Sequence, residues 1–206
     1  MNLSILKRQI RNPAKMNSPK YFDIVIFIIT LLWLFMTQLN VYAHQTGKQQ
    51  SCAELLPKEV KEIIEKKYKN WRILEKKDLV SDDQVLWDKY RRGECPGVIA
   101  GNFDNSGNTG YAVLIISQAK TMKRTQLLIL TMRGSRNYDS QVLYVENNVS
   151  NFPAIHKEPP GQYTDFYEEK KTIEAKTDVI IYEHIESSAL VFYYKNGKFR
   201  RLLVSD

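Results

Sequence analysis

The residues able to do chemistry in this 206-residue chain fall into a glycine-rich loop, a few histidines beside acids, and a pair of cysteines. The loop is Gly101-Asn102-Phe103-Asp104-Asn105-Ser106-Gly107-Asn108-Thr109-Gly110, with side-chain oxygens at alternate positions Asn102, Asp104 and Ser106. That spacing in a turn brings hard oxygen ligands toward one point, and Ca²⁺ takes six or more of them. His184 lies beside Glu183 and Glu186, and His156 beside Lys157 and Glu158. Imidazole next to carboxylate is the usual equipment of general acid–base catalysis. Cys52 and Cys95 offer either a structural staple or a nucleophilic thiol.

Each group has a plainer reading. The loop, continued by Tyr111-Ala112-Val113, resembles the calcium loop of the FG-GAP family, the repeat of integrin-type β-propellers and of many secreted bacterial proteins. The family's loop reads roughly G-D-F-N-G-D-G-x-x-D-hydrophobic-A-V, and the resemblance implies calcium held at Asn102, Asp104 and Ser106 ahead of an apolar strand. Here Asn102 and Ser106 each replace an acid and Gly110 replaces the last one, so Asp104 alone brings a formal charge. One carboxylate binds calcium weakly at best. The expectation is therefore a Gly/Asn-rich hairpin turn that keeps the loop's shape, with no cofactor beyond weak calcium binding. The resemblance covers about a dozen residues, on the order of one hairpin, and occurs once, whereas a propeller needs several blades. The Cys52-x-x-Leu55-Leu56-Pro57 start, Cys95-Pro96-Gly97 and the closing Asn196-Gly197-Lys198-Phe199 also resemble small exported bacterial proteins of unknown function, which implies no activity.

The histidines do not form a site by adjacency. Strand alternation puts His184 on the face of Tyr182 and splits the glutamates between faces, so a His184-Glu186-Ser187 arrangement would not converge. There is no G-x-S-x-G elbow, H-E-x-x-H or phosphate-binding glycine loop. Cys95 is followed by Pro96-Gly97, a turn rather than the helix N-terminus that activates a thiol, which favours a Cys52–Cys95 disulfide. Arg91-Arg92 and Arg200-Arg201 read as solvated edges.

The compartment is set by the charge-free run Ile24 to Met36, preceded by Lys7, Arg8, Arg11, Lys15 and Lys20 and followed by Val41-Tyr42-Ala43. A basic region, a short apolar core and small residues before a cleavage point make a secretory signal over residues 1–43. The alternative is an uncleaved anchor reaching Val41, although a spanning helix needs about 20 apolar residues. Met16 is a second candidate start. Either way the remainder, 44–206, is expected to be one exported domain, periplasmic or secreted, with membrane contact only through the apolar segment. The leader holds five of the 30 Lys and Arg and one of the 23 acids, so the net charge of +7 falls to 25 − 22 = +3. That value gives no footprint for nucleic acid.

The elements that must hold these residues begin with a helix from Leu56-Pro57 to Lys69, apolar at Val60, Ile63, Ile64 and Tyr68. Glu62–Lys66 and Glu65–Lys69 are spaced to pair on its wet face. Trp71–Leu74 alternates as a short strand, and Ser81 to Gln84 reads as a capping box before a second helix. Strands follow at Val98–Ala100, Tyr111–Ser117, Thr125–Met132, Gln141–Glu146, Asp178–Ile185, Ala189–Tyr194 and Phe199–Val204. Asn196-Gly197 marks the last hairpin. The fold class is α+β, with an N-terminal helix or two packed on an antiparallel meander of about six or seven strands. Asn147 to Gln162, with Pro153, Pro159 and Pro160, reads as a long loop and hence a contact surface. The function that follows is an exported binding protein of the inhibitor or immunity type, whose partner is another envelope or extracellular protein. The alternatives are an envelope hydrolase using His184 or His156 with a carboxylate, or a structural protein anchored by its apolar segment.

Overall fold

The computed structural model describes residues 51–119, 123–133, 137–168 and 171–205. The leader over 1–43, the second candidate start at Met16, and His44 lie outside these residues.

The first described element is a single 3₁₀ turn, Cys52–Leu55, whose Ala53 N–H donates to Ser51 Oγ at 3.3 Å. Helix α1 (Lys58–Lys67) follows, with Pro57 as its N-cap and Val60 and Ile64 buried. Burying side chains of this kind stabilises by about 1.5–3 kcal/mol each. The ion pair on its wet face is Lys58–Glu62 at 3.7 Å, and among the described residues neither pair expected from spacing forms. Helix α2 (Ser81–Tyr90) is capped by Val80, not by a Ser81 box. Gln84 instead turns its side-chain amide back and donates to the Leu79 carbonyl at 2.8 Å, tying the first turn of the helix to the segment before it.

Eleven strands are formed by the described residues: β1 (Trp71–Ile73), β2 (Val98–Gly101), β3 (Gly110–Ser117), β4 (Arg124–Arg133), β5 (Asn137–Asn147), β6 (Ala154–Glu158), β7 (Gly161–Thr164), β8 (Thr172–Ala175), β9 (Val179–Glu183), β10 (Ala189–Lys195) and β11 (Lys198–Ser205). They form a five-stranded sheet in the order β1-β3-β4-β5 with β2 also on β3, a four-stranded sheet β11-β10-β9-β6, and the hairpin β7-β8. Every pairing is antiparallel. The α+β, β-rich class is as expected; the strand number is higher, and the single meander is replaced by separate sheets.

The packing explains the sheets. Leu114, Ile116, Leu127 and Ile129 of the first sheet meet Ile155, Ile180, Tyr182 and Phe192 of the second in the central core. Val113, Ile115, Leu128 and Leu130 face the other way, onto Val60 and Ile64 of α1. Strand β3 is thus buried on both faces, which is why it reads as a continuous apolar run. The second sheet's outer face, with Val179, Ile181, Val191 and Leu202, is covered by Ile173 and Ala175 of the β7-β8 hairpin. Strands β1 and β2 share one edge of β3, because Leu74 N–H donates to Leu114 O while Leu114 N–H donates to Gly97 O. A Cβ at Gly97 would overlap the Leu74 carbonyl oxygen, so only glycine lets the two segments lie so close.

The reading of Asn147–Gln162 as a loop is corrected. Its middle, Ala154–Glu158, is β6, paired to β9 along its length, with Ala154, Ile155 and His156 all buried. The strand was hidden because its third inward residue is a histidine and its last are charged, so neither alternation nor an apolar run appears in the sequence.

The cysteines form the expected Cys52–Cys95 disulfide, with Cα atoms 5.5 Å apart, tying the first turn to the segment before β2. Such a bond belongs to an oxidising, exported environment. No helix among the described residues is long and apolar enough to cross a membrane.

Candidate functional site

The Asn102–Ser106 loop joins β2 to β3 as a turn built on its own side chains. Asp104 Oδ1 accepts the Ser106 N–H at 3.1 Å, and Ser106 Oγ accepts the Asn108 N–H at 3.2 Å. Asn105 and Gly107 take positive φ, 59° and 76°. Asn102 is held from outside, its N–H donating to Asp178 Oδ2 at 2.9 Å, and its side-chain oxygen is buried without a hydrogen bond. The loop therefore brings Asp104 and Ser106 together and anchors Asn102 separately. Among the described residues no group of three or more His, Cys, Asp or Glu is placed to hold a metal.

Chemistry-bearing residues gather elsewhere, around α2. Its inward anchor is Trp87, whose indole N–H donates to the Glu94 carbonyl at 3.0 Å. The helix ends as Arg91 N–H closes on Trp87 O at 2.7 Å, with Gly93 turning the chain at φ 83°. Beside it the β9–β10 turn closes through His184 N–H to Ser188 O at 2.9 Å, leaving Glu186 at φ 59°. Between helix and turn lies a cleft of about 480 Å³, lined by Leu86, Trp87, Tyr90, Arg91, Glu183, Ile185 and Glu186.

Behind this cleft sits His156, only 5% exposed. In the β6–β9 register it stands opposite Ile181, and Glu158 opposite Val179, so His156, Glu158 and Glu183 share one face of the sheet. Glu183 Oε1 is 3.0 Å from His156 Nδ1, and Glu158 Oε1 is 3.4 Å from Nε2. The Glu183 contact lacks hydrogen-bond alignment, since Nδ1 is otherwise unpartnered; it is a close electrostatic approach. Glu158 Oε1 also accepts from Arg91 Nη2 at 3.0 Å. A chain of alternating groups, Arg91–Glu158–His156–Glu183, thus starts and ends at the cleft wall. Arg91, expected to be a solvated edge, is half-buried and paired.

A second network lies on the opposite face of β9. Tyr182 O–H donates to Glu146 Oε2 at 2.5 Å, and since that proton is committed, the buried Thr125 hydroxyl donates to the Tyr182 oxygen at 2.9 Å. His184 Nε2 approaches both Glu146 oxygens, at 3.1 and 3.2 Å. Burial first, and then the Glu146 carboxylate, push the Tyr182 phenol far above its ordinary value of 10.0. At the start of α2, burial and then the neighbouring charge of Asp82 raise the Asp83 carboxyl, against an opposite pull from His184 and with a further push from Glu186.

The expected face for His184, beside Tyr182, is the one observed, and its carboxylate partner is Glu146 rather than Glu186. The cleft joins α2 to a turn about a hundred residues later, on the order of half the chain, and no local motif signals it. The one trace in sequence is the pairing of two acids, Glu183 and Glu186, across a turn without glycine or asparagine. The cleft lining holds no serine, threonine or cysteine, so it offers charge and apolar surface rather than a nucleophile. No family model, no curated protein and no solved structure matches this chain.

Proposed function

We propose that this is an exported binding protein that captures another envelope or extracellular protein at the α2–β9 cleft, without chemistry of its own. The observation that carries this reading is the exposed apolar surface of α2, with Tyr90 in the cleft lining and Val85 on the helix's outer face. Val85 is 67% and Tyr90 65% exposed, on the same helix as the cleft residues Leu86 and Trp87. Tyr and Arg are enriched among the residues that dominate protein interfaces, and here the exposed Tyr90 and the half-buried Arg91 line the same cleft. The disulfide and the β-rich core supply a rigid scaffold, which limits the ordering cost of association. The contact surface is assigned to α2 because Ala154, Ile155 and His156, in the middle of the Asn147–Gln162 stretch, are buried in the second sheet. An inhibitor or immunity role is compatible with this design.

The test is capture by the exported protein carrying Val85→Ser and Tyr90→Ala together. Both positions are exposed, so stability should change by about 0.5 kcal/mol or less, while partner capture is lost. Unchanged capture at unchanged stability would move the contact surface elsewhere.

A hydrolase remains the second reading, favoured by the buried His156 held between Glu158 and Glu183 at the cleft wall. His156→Ala and His184→Ala variants that turn over cell-wall or lipid substrates as well as the parent protein would remove it. The anchored structural reading is removed by a mature mass lacking residues 1–43.

A further inference from the structure

The charges around the cleft are unequally satisfied. Arg91 is committed to Glu158 at 3.0 Å, and the Lys89 ammonium sits over the Tyr90 ring, 4.7 Å from its centroid. The cleft's own carboxylates are not matched in this way. Among the described residues Glu186 makes no ion pair, and the charged contact of Glu183 is with the buried imidazole of His156. That imidazole is more than nine-tenths buried, its Nδ1 has no hydrogen bond, and its contact with Glu183 is to Oε1. Glu186 is held at φ 59°, a left-handed conformation that costs a non-glycine residue about 1–2 kcal/mol. The same lining carries the apolar side chains Leu86, Trp87 and Ile185. A volume of about 480 Å³ lies within the range of small-ligand pockets.

We propose that this cleft receives a lysine or arginine side chain of the partner protein, its charged head between Glu183 and Glu186 and its aliphatic stem against Leu86, Trp87 and Ile185. This deepens the binding reading above and rests on it. Long basic side chains suit such a site because the stem buries apolar surface while the head keeps its charge. Two carboxylates converging on one head give charge-assisted hydrogen bonds, the stronger kind. An anionic side chain would meet Glu183 and Glu186 with Arg91 already paired, so the same cleft rejects acids. Tyr90 lies at the open rim, where its ring can cover the stem of an inserted side chain.

The experiment is a titration of the isotope-labelled, disulfide-bonded exported protein with N-acetyl-arginine amide and N-acetyl-lysine amide, followed by amide and indole N–H shifts. N-acetyl-glutamate amide at matched ionic strength is the control. Saturable shifts at the Trp87 indole and at the Glu183–Ser188 amides are expected with the basic probes and not with the acidic one. Glu186→Gln, which removes a charge that makes no ion pair among the described residues, should weaken the basic probes about tenfold without changing the melting temperature. Glu183→Gln should weaken them too, and serves as the second variant. Absence of these shifts, equal shifts from the acidic probe, or undiminished binding by both variants would overturn the proposal. If the Glu186→Gln protein still captures its partner while the Val85→Ser/Tyr90→Ala protein does not, the binding reading stands and the basic-side-chain assignment falls.

Discussion

Breaking the Cys52–Cys95 bond should cost this domain a large part of its stability. The bond closes a loop with a sequence separation of 43 residues, joining the turn ahead of α1 to the segment ahead of β2. In the chain-entropy model that loop removes about 13 cal/mol/K from the unfolded ensemble, or about 4 kcal/mol at 25 °C. For a domain of this size each kcal/mol moves the melting temperature by about 2–4 °C, so the expected fall is about 8–16 °C. The assay is calorimetry on the oxidised protein, on the same protein reduced, and on Cys52→Ala/Cys95→Ala. Reduction keeps both sulfurs in the core, where Cys52 is buried, so it isolates the cross-link from the packing lost in the double variant. A fall smaller than about 4 °C on reduction would refute the reasoning. So would an intact mass for the oxidised protein that is heavier by two hydrogens, because the thiols would then be free.

Other consequences follow from individual contacts. Tyr182→Phe strands the buried Thr125 hydroxyl and removes a donor from Glu146, so unfolding measurements should show a loss of about 1–3 kcal/mol. The raised Tyr182 value gives a sign in alkali: the native phenol stays protonated where the unfolded one ionises, so its contribution is full below pH 10 and declines as pH rises above it. Tyr182→Phe should flatten that decline, read as melting temperature against pH. Gly97→Ala should destabilise by more than about 2 kcal/mol, because the added methyl meets the backbone carbonyl of Leu74 rather than a flexible side chain. A loop with a calcium Kd of about 1 mM would stabilise by about 1.4 kcal/mol at 10 mM calcium. The single carboxylate of Asp104, already accepting the Ser106 N–H, predicts a smaller shift in melting temperature.

Legibility in the sequence tracked how local each feature is. Helix α1 was readable because Val60 and Ile64 recur at helical spacing and both meet the first sheet. The β10–β11 hairpin was readable because Asn196-Gly197 supplies both residues of positive φ at its turn, 53° and 75°. The disulfide followed from compartment and cysteine number. Strand β6 was not readable because its partner β9 lies beyond the β7-β8 hairpin, and β7 and β8 were not because their few residues are mixed polar, charged and apolar without a turn signal between them. His156 reads as a loop residue until β9 is set beside it. The cleft was invisible for the same reason: Trp87 and Arg91 reach Glu183 and Glu158 only through the docking of α2 against the second sheet. Arg91-Arg92 looked like a solvated pair because its carboxylate partner lies 67 residues on.

Capture at the α2–β9 cleft is tested most directly by placing a photo-crosslinking phenylalanine analogue at position 90 of the exported protein and irradiating it in its native envelope. The same analogue at the exposed position 195, on the far end of β10, is the control. Binding at the cleft predicts one dominant protein adduct from position 90 and none from position 195. No adduct from position 90, or the same adducts from both positions, would contradict it.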